Sequence, residues 1–262
     1  MRAKLRKLIK TKSPRWIFCL AYNFYCAVNS RNVRCIVTSE LFGITENGVL
    51  RYASTRTRAL TYLDGFKHRS DYLGKVYALD LIDFKEGDLI VDCGANMGDL
   101  YHWFTDRNLP ISYIGFEPNP IDFKCLEKNV MNQRLFNYGL WLEDSALSFF
   151  VSTEVASSSF IEPPFYSEVI KITTTRLDSM SFQKSIKLLK LEAEGAEPEV
   201  LLGSKGIIDS IEYISADVGP ERGVQEIETR DAVVGILTDW NFEIVRENRG
   251  HRHTVLLRNK KF

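Results

Sequence analysis

The chain has 262 residues, 45% of them hydrophobic, with 34 Lys+Arg balanced by 34 Asp+Glu. That is ample core material for one catalytic domain with an appendage, and the even charge argues against a dedicated nucleic-acid binder, whose domain is usually markedly basic. The cysteines, Cys19, Cys26, Cys35, Cys93 and Cys125, are odd in number and make no C-x-x-C pair; this argues against zinc and a disulfide framework and suits free thiols in a cytoplasmic protein.

The charge is unevenly spread. Arg2, Lys4, Arg6, Lys7, Lys10, Lys12 and Arg15 precede the run Trp16 to Val28 with no acid among them. The outline is that of a signal peptide, but Tyr22, Asn23 and Tyr25 interrupt its apolar centre, and the run is too short to span a bilayer. Two readings stay open for residues 1–30. One is a helix packed on the catalytic domain; the other is an interfacial helix on the cytoplasmic face of an anionic membrane. Residues 33–52 read as short strands, with Asn47-Gly48 as a two-residue hairpin turn. Residues 56–84 read as broadly helical, with Tyr62, Phe66, Tyr72, Tyr77 and Leu81 facing inward. Arg51, Arg56, Arg58, Lys67, His68, Arg69 and Lys75 make that region basic, as a solvated face or as a lid gripping an anionic group. Residues 1–84 are therefore expected to form an α+β appendage and 85–262 the catalytic domain, opened by the turn Lys85 to Asp88.

Leu89 to Val91 form an apolar run that suits a strand buried on both faces. Asp92 ends it, Gly94 and Gly98 follow, and Asp99 to Thr105 reads as helix. A strand, a glycine turn and a helix in an open α/β sheet make a ligand site. A dinucleotide fingerprint needs G-x-G-x-x-G; Asp92-Cys-Gly-Ala-Asn-Met-Gly98 has two glycines and a carboxylate, a poor neighbour for a pyrophosphate and a good one for an amino group. S-adenosylmethionine (SAM) offers an amino group and a sulfonium cation without phosphate. The second strand, Ile111 to Phe116, ends at Glu117, where an acidic residue can hydrogen-bond both ribose hydroxyls. Capping of helices by Asp92 and Glu117 is the plainer alternative. The cofactor-binding candidates here are Asp92, Gly94, Ala95, Asn96, Gly98, Glu117, Pro118 and Asn119.

Ile121 to Gln133 reads as an amphipathic helix and Leu135 to Leu140 as a third strand, whose end places Gly139 and Leu140 near the adenine. Ala146 to Ser152 and Ile170 to Thr174 read as an inserted hairpin, with Ser157-Ser-Ser159 in a loop between them. Ile186 to Leu191 is the fourth core strand, and Glu192, Glu194 and Glu197 crowd its end. Such carboxylates point into the cleft of a doubly wound sheet. Repulsion and burial can raise one pKa, which suits a general base for a hydroxyl. A divalent metal held by two of them is an alternative that is not predicted, and helix capping is another. Glu197 reads as structural, beside Pro198 at a helix start, and Glu192 or Glu194 as functional. The fifth strand, Ile211 to Ser215, leads to Asp217 over the same cleft. A helix over Glu226 to Trp240 and an antiparallel pair, Phe242 to Arg246 and His253 to Arg258, complete the chain. His251 and His253, beside that pair's tight turn, read as surface residues.

These motifs resemble the FkbM family of SAM-dependent methyltransferases. The matching stretches are Asp92 to Gly98, Phe116-Glu-Pro-Asn-Pro120, Thr175-Arg-Leu-Asp178 and Leu189-Lys-Leu-Glu-Ala-Glu-Gly-Ala-Glu197. The chain departs from the family's K-I-D-V-E-G-A-E in having Glu192 for Asp and Ala193 for Val. The resemblance covers about residues 85–258 and does not clearly reach the first 80. It implies an α/β, class I SAM-dependent methyltransferase (Rossmann-like) fold with a seven-stranded sheet. It also implies SAM as cofactor and methyl transfer to a hydroxyl of a sugar in a polysaccharide, glycolipid or secondary metabolite. The expected base is one of Glu192, Glu194 and Asp217. The family's serine-bearing loop maps to Ser158 and Ser159, an ordinary polar loop being the alternative. The expected partner is a hydroxyl-bearing small molecule or glycan. Nucleic acid is not expected, because Pro163-Pro-Phe-Tyr166 lacks the acid or amide that an N-P-P-Y motif for base amines needs. Three rivals stand beside this reading: a Rossmann-like enzyme for another nucleotide, whose third glycine is missing, a SAM-fold protein that binds without catalysis, and a methyltransferase for a non-sugar acceptor.

Overall fold

The computed structural model describes residues 13–152, 158–250 and 252–262. The expected basic residues 2–12, Ser157 and His251 lie outside them.

The chain begins with a small layer of its own. Helix α1 (Arg15–Val28) lies on a sheet of three antiparallel strands, β1 (Val33–Val37), β2 (Phe42–Glu46) and β3 (Val49–Ala53). Asn47 (φ 50°) and Gly48 (φ 82°) form the β2–β3 turn, the positive-φ pair that matches strand twist. Phe18, Tyr22 and Cys26 of α1 pack on Val33, Cys35, Phe42 and Ile44. Asn23 exchanges two hydrogen bonds with the Cys35 backbone, at 2.7 and 2.9 Å, and so fixes the helix on the strand.

The helical region divides into α2 (Arg56–Leu60), α3 (Phe66–Val76) and a 3₁₀ turn at Leu79–Leu81. Tyr62, Phe66 and Tyr77 are buried as expected, but Leu81 is 44% exposed because the tight 3₁₀ turn aims it outward. Leu73, Tyr77, Leu79 and Ile82 share a core with Ile90, Leu188 and Tyr213. Residues 66–82 thus cover the large sheet, although they precede the expected boundary at residue 84.

That sheet contains β4 (Leu89–Cys93), followed by helix α4 (Asp99–Thr105), β5 (Ser112–Phe116), helix α5 (Pro120–Asn129) and β6 (Arg134–Phe136). Helix α5 stops at Asn129, four residues short of expectation. Val130 turns extended there, and the Asn129 amide bonds the backbone of Tyr52 and Met97. The expected third strand splits after Phe136: β7 (Gly139–Leu140) leaves to pair with another sheet, formed with β8 (Ser145–Val151) and β9 (Glu168–Thr175) in the order β7-β9-β8. The main sheet resumes with β10 (Ile186–Leu191), helix α6 (Glu197–Leu202) and β11 (Ile211–Asp217). The helix expected from Glu226 begins only at Arg230, as α7 (Arg230–Asp239). Before it, β12 (Pro220–Arg222) and β13 (Ile227–Glu228) form a small hairpin, with Glu226 at φ 49°. β14 (Phe242–Arg249) and β15 (His253–Asn259) close the chain.

The main sheet has seven strands in the order β14-β15-β11-β10-β4-β5-β6. All pairs are parallel except those made by β15, which is the class I methyltransferase arrangement anticipated above. The chain leaves β4 toward β5 on one side and returns as β10 on the other. The C-terminal ends of β4 and β10 are therefore the topological switch point, where open α/β sheets bind ligands.

Candidate active site

Every residue of β4 is buried, and its end carries the glycine turn. Gly94 has φ +74°, and a Cβ there would lie 2.1 Å from the Glu192 carbonyl oxygen. The turn thus packs directly against the end of β10, with no space for a side chain. Gly98 (φ +86°) caps α4, and a Cβ there would strike Val130.

Beside the turn, a cleft of about 790 Å³ opens over the ends of β4, β5 and β10. Of the cofactor candidates, Gly94, Asn96, Glu117, Pro118, Asn119, Gly139 and Leu140 line it. Glu117 accepts hydrogen bonds from the Asn96 and Asn119 backbone N–H groups, both at 2.8 Å. It is 5% exposed and has no ion-pair partner among the described residues. Burial, helped by the nearby Asp122 charge, pushes its pKa up to about 8. Asn96 sits at φ 52°, and its Oδ1 is buried without a hydrogen-bond partner among the described residues. Asn119 caps α5 through Ile121 N–H at 3.0 Å, so capping belongs to Asn119 and not to Glu117. This donor set fits SAM: an acceptor carboxylate for a diol and a turn that admits close approach, with Arg58, Arg69 and Arg252 also on the wall.

Asp92, Ala95 and Gly98 stand behind the turn and do not line the cleft. Asp92 is 0% exposed. Its carboxylate accepts from the Tyr113 hydroxyl at 2.6 Å and lies 3.0 Å from Lys190 Nζ. Asp92 therefore faces Tyr113 and Lys190 behind the turn rather than the cleft. Lys190, buried in β10, also donates to the carbonyls of Cys93 (3.1 Å) and Gly94 (2.7 Å). It ties the turn to the neighbouring strand.

The ends of β10 and β11 hold the expected carboxylates in unlike settings. Glu192 and Glu194 line the cleft and Asp217 does not. Glu192 is 3.0 Å from Lys190, accepts from the Tyr77 hydroxyl at 2.7 Å, and is bonded to Arg252. Burial alone would raise its pKa, but Arg252 and Lys190 outweigh burial and hold it well below the usual carboxylate range. A carboxylate so held is a weaker base than a free one. Asp217 is 1% exposed and reaches the cleft only through Arg252, at 2.9 Å; burial and the Glu192 charge raise its pKa. Glu194 sits at φ 50° beside the cleft, and its carbonyl accepts from the Ser159 hydroxyl at 2.8 Å. Ser159 is thereby a buried brace, while Ser158 lines the cleft and accepts from Ser152 N–H at 3.0 Å. Glu197 is structural as expected: it accepts from Ala193 and Gly195 N–H and from the Thr229 hydroxyl.

Arg252, Tyr77 and Lys190, which contact the expected carboxylates, were not among the sequence candidates. A lysine inside the apolar strand Ile186 to Leu191 was the available signal, since a buried lysine requires a partner. Arg252 carried none: it lies between the two histidines that drew attention instead. His253 pairs with Glu247 at 2.8 Å and Glu228 at 3.3 Å, away from the cleft. No group of three or more His, Cys, Asp or Glu among the described residues is arranged to hold a metal ion.

A family model for the methyltransferase FkbM domain matches residues 92–244, more than half of the chain. Methyltransferase 1 of Beauveria bassiana (strain ARSEF 2860) is 27% identical over 167 residues, which cover 53% of this chain and 66% of that protein. The chain therefore spans just under two thirds of that relative's length. Among solved structures, Sp1610 of Streptococcus pneumoniae in complex with S-adenosyl-L-methionine is similar at 12% identity, 72% coverage of each chain and a TM-score of 0.46. TYW2 of P. horikoshii in complex with MeSAdo is similar at 10% identity, with 98% and 97% coverage and a TM-score of 0.46. Both likenesses are of the fold alone and say nothing of the acceptor.

Proposed function

The chain belongs to the FkbM family of SAM-dependent methyltransferases, and on that footing we propose that it transfers a methyl group from SAM to a hydroxyl of a sugar in a polysaccharide, glycolipid or secondary metabolite. The observation that carries this reading is the mixed lining of the cleft next to the glycine turn. Phe149 and Phe160 are aromatic, and Ser158 and Glu194 are polar. A sugar ring, apolar on its faces and hydroxylated at its rim, matches such a wall.

Bound SAM supplies an electrophilic methyl group on a sulfonium. Glu117 accepts from the ribose hydroxyls, and the backbone at Gly94 admits the methionyl portion closely. Asn96 Oδ1, buried and without a partner among the described residues, would receive the ammonium. Tyr138 and Leu140 border the adenine side. Arg252, Lys190 and Tyr77 hold Glu192 ionised and rigid, which sets the end of β10 and so positions Glu194. Glu194 removes the proton of the attacking hydroxyl. Holding the oxygen at contact distance from the methyl carbon lowers the barrier by ~7 kcal/mol or more when alignment is good.

Transfer from radiolabelled SAM to a panel of oligosaccharide and glycolipid acceptors tests this. Glu194→Gln is expected to lower turnover ~100-fold or more with S-adenosylhomocysteine (SAH) affinity unchanged. Undiminished turnover in that variant would remove Glu194 as base. SAH binding by the wild type with no transfer to any hydroxyl would favour a binding protein or a different acceptor class.

A further inference from the structure

We propose that the outer face of α1, together with the cations that precede it, docks the protein on an anionic lipid surface. The helix carries two apolar faces. Phe18, Cys19, Tyr22, Tyr25 and Cys26 are buried against the three-stranded sheet. On the other side, Trp16 (57%), Leu20 (60%), Phe24 (64%) and Val28 (59%) are exposed at four-residue spacing. The remaining exposed residue of the helix is Ala27, so its outer face carries no polar side chain. A surface helix of a globular protein normally turns charged residues to water, and one that is apolar all round is covered by something.

The charge of the surrounding chain selects the cover. Residues 1–39 contain Arg2, Lys4, Arg6, Lys7, Lys10, Lys12, Arg15, Arg31 and Arg34, and no Asp or Glu. An apolar helix face with an aromatic residue near each end, preceded by a polybasic segment, is the composition of an interfacial helix on anionic lipid. A second copy is the competing cover. Residues 1–39 of a second copy would bring the same excess of cations to the contact with no acid of their own, and the one acid that faces Arg31, Asp64 at 3.1 Å, is already engaged by it. Like charges so placed oppose the contact. At 1.5 Å per residue the fourteen-residue helix is ~21 Å long. It lies along a bilayer rather than through it, and no helix among the described residues is long and apolar enough to cross one.

The test is flotation of the full chain with vesicles of phosphatidylcholine alone or with 30 mol% phosphatidylglycerol. The double variant Leu20→Glu/Phe24→Glu runs beside the wild type, and SAH affinity reports folding. The expected result is at least tenfold stronger binding to the anionic vesicles and weakening at 0.5 M salt. The double variant should lose binding yet bind SAH like the wild type. Absence of flotation by the wild type, or equal flotation of the double variant, overturns the proposal. So does a wild-type dimer by light scattering that the double variant converts to monomer without any lipid binding, since the face then belongs to a second copy.

Discussion

Glu117 and Glu192 end two strands of one sheet, border one cleft, and are both withdrawn from water, yet their pKa values move in opposite directions. Glu117 faces two backbone N–H groups and the like charge of Asp122, and it stays protonated up to about 8. Glu192 faces Lys190 and Arg252 and is held ionised well below the usual range. Burial acts alike on both; the counter-cation decides the sign. The end of β5 thus holds an acceptor whose charge a ligand's donors can call up, and the end of β10 holds a charge that is already spent on structure.

Removing the cation should break this contrast most severely. Arg252→Met leaves Glu192 and Asp217 without their shared partner, and urea denaturation should register a loss of about 3–5 kcal/mol. An unchanged midpoint would mean that the network is not a stabilising unit. Glu117→Ala removes the uncompensated acceptor and should leave the fold intact. Calorimetry with SAH should then show affinity weaker by ~30-fold or more, the equivalent of about 2 kcal/mol from hydrogen bonds to a charged group. Retained affinity would transfer ribose recognition to another residue.

The titration difference sharpens the comparison further. Between the ordinary range near 4.5 and about 8, folded Glu117 keeps a proton that the unfolded chain has released. Its contribution to stability is therefore full below about 4.5 and is lost as pH rises through 8. Glu197, pushed up to about 7 by burial, acts with the same sign. Ribose donors favour the ionised form of Glu117, so SAH should bind more tightly from pH 6 to 8 and release part of a proton at pH 7. Calorimetry in buffers of different ionisation enthalpy reads that release, and Glu117→Gln should abolish it. The smallest effect is expected of Tyr77→Phe, which deletes the 2.7 Å hydrogen bond to Glu192. About 1.5 kcal/mol of stability should be lost, with SAH affinity unmoved.

Much of this was legible residue by residue. The apolar run Leu89 to Val91, the glycines at 94 and 98, the acid at 117 and the Asn47-Gly48 turn are local signals, because strand burial, positive φ and a strand-end carboxylate are each decided within a few residues. The order of those signals was enough for the doubly wound sheet. The split of Leu135 to Leu140 between two sheets was not legible, since pairing of β7 with Thr174 and Thr175 depends on a strand more than thirty residues away.

By itself, then, the sequence determined the fold class, the cofactor turn and the set of carboxylates around the cleft. Only the tertiary structure decided what each carboxylate can do. Arg252 meets Glu192 across 60 residues of chain and Tyr77 across 175, and Lys190 meets the Gly94 carbonyl across 96. An ion pair is closed in space between elements that local pattern does not connect, and a pKa follows the partner rather than the residue type. The same holds for α1. Its sequence carries apolar residues on two opposite faces, so periodicity could not say which is inside; packing on β1 to β3 buried one and left Trp16, Leu20, Phe24 and Val28 outward.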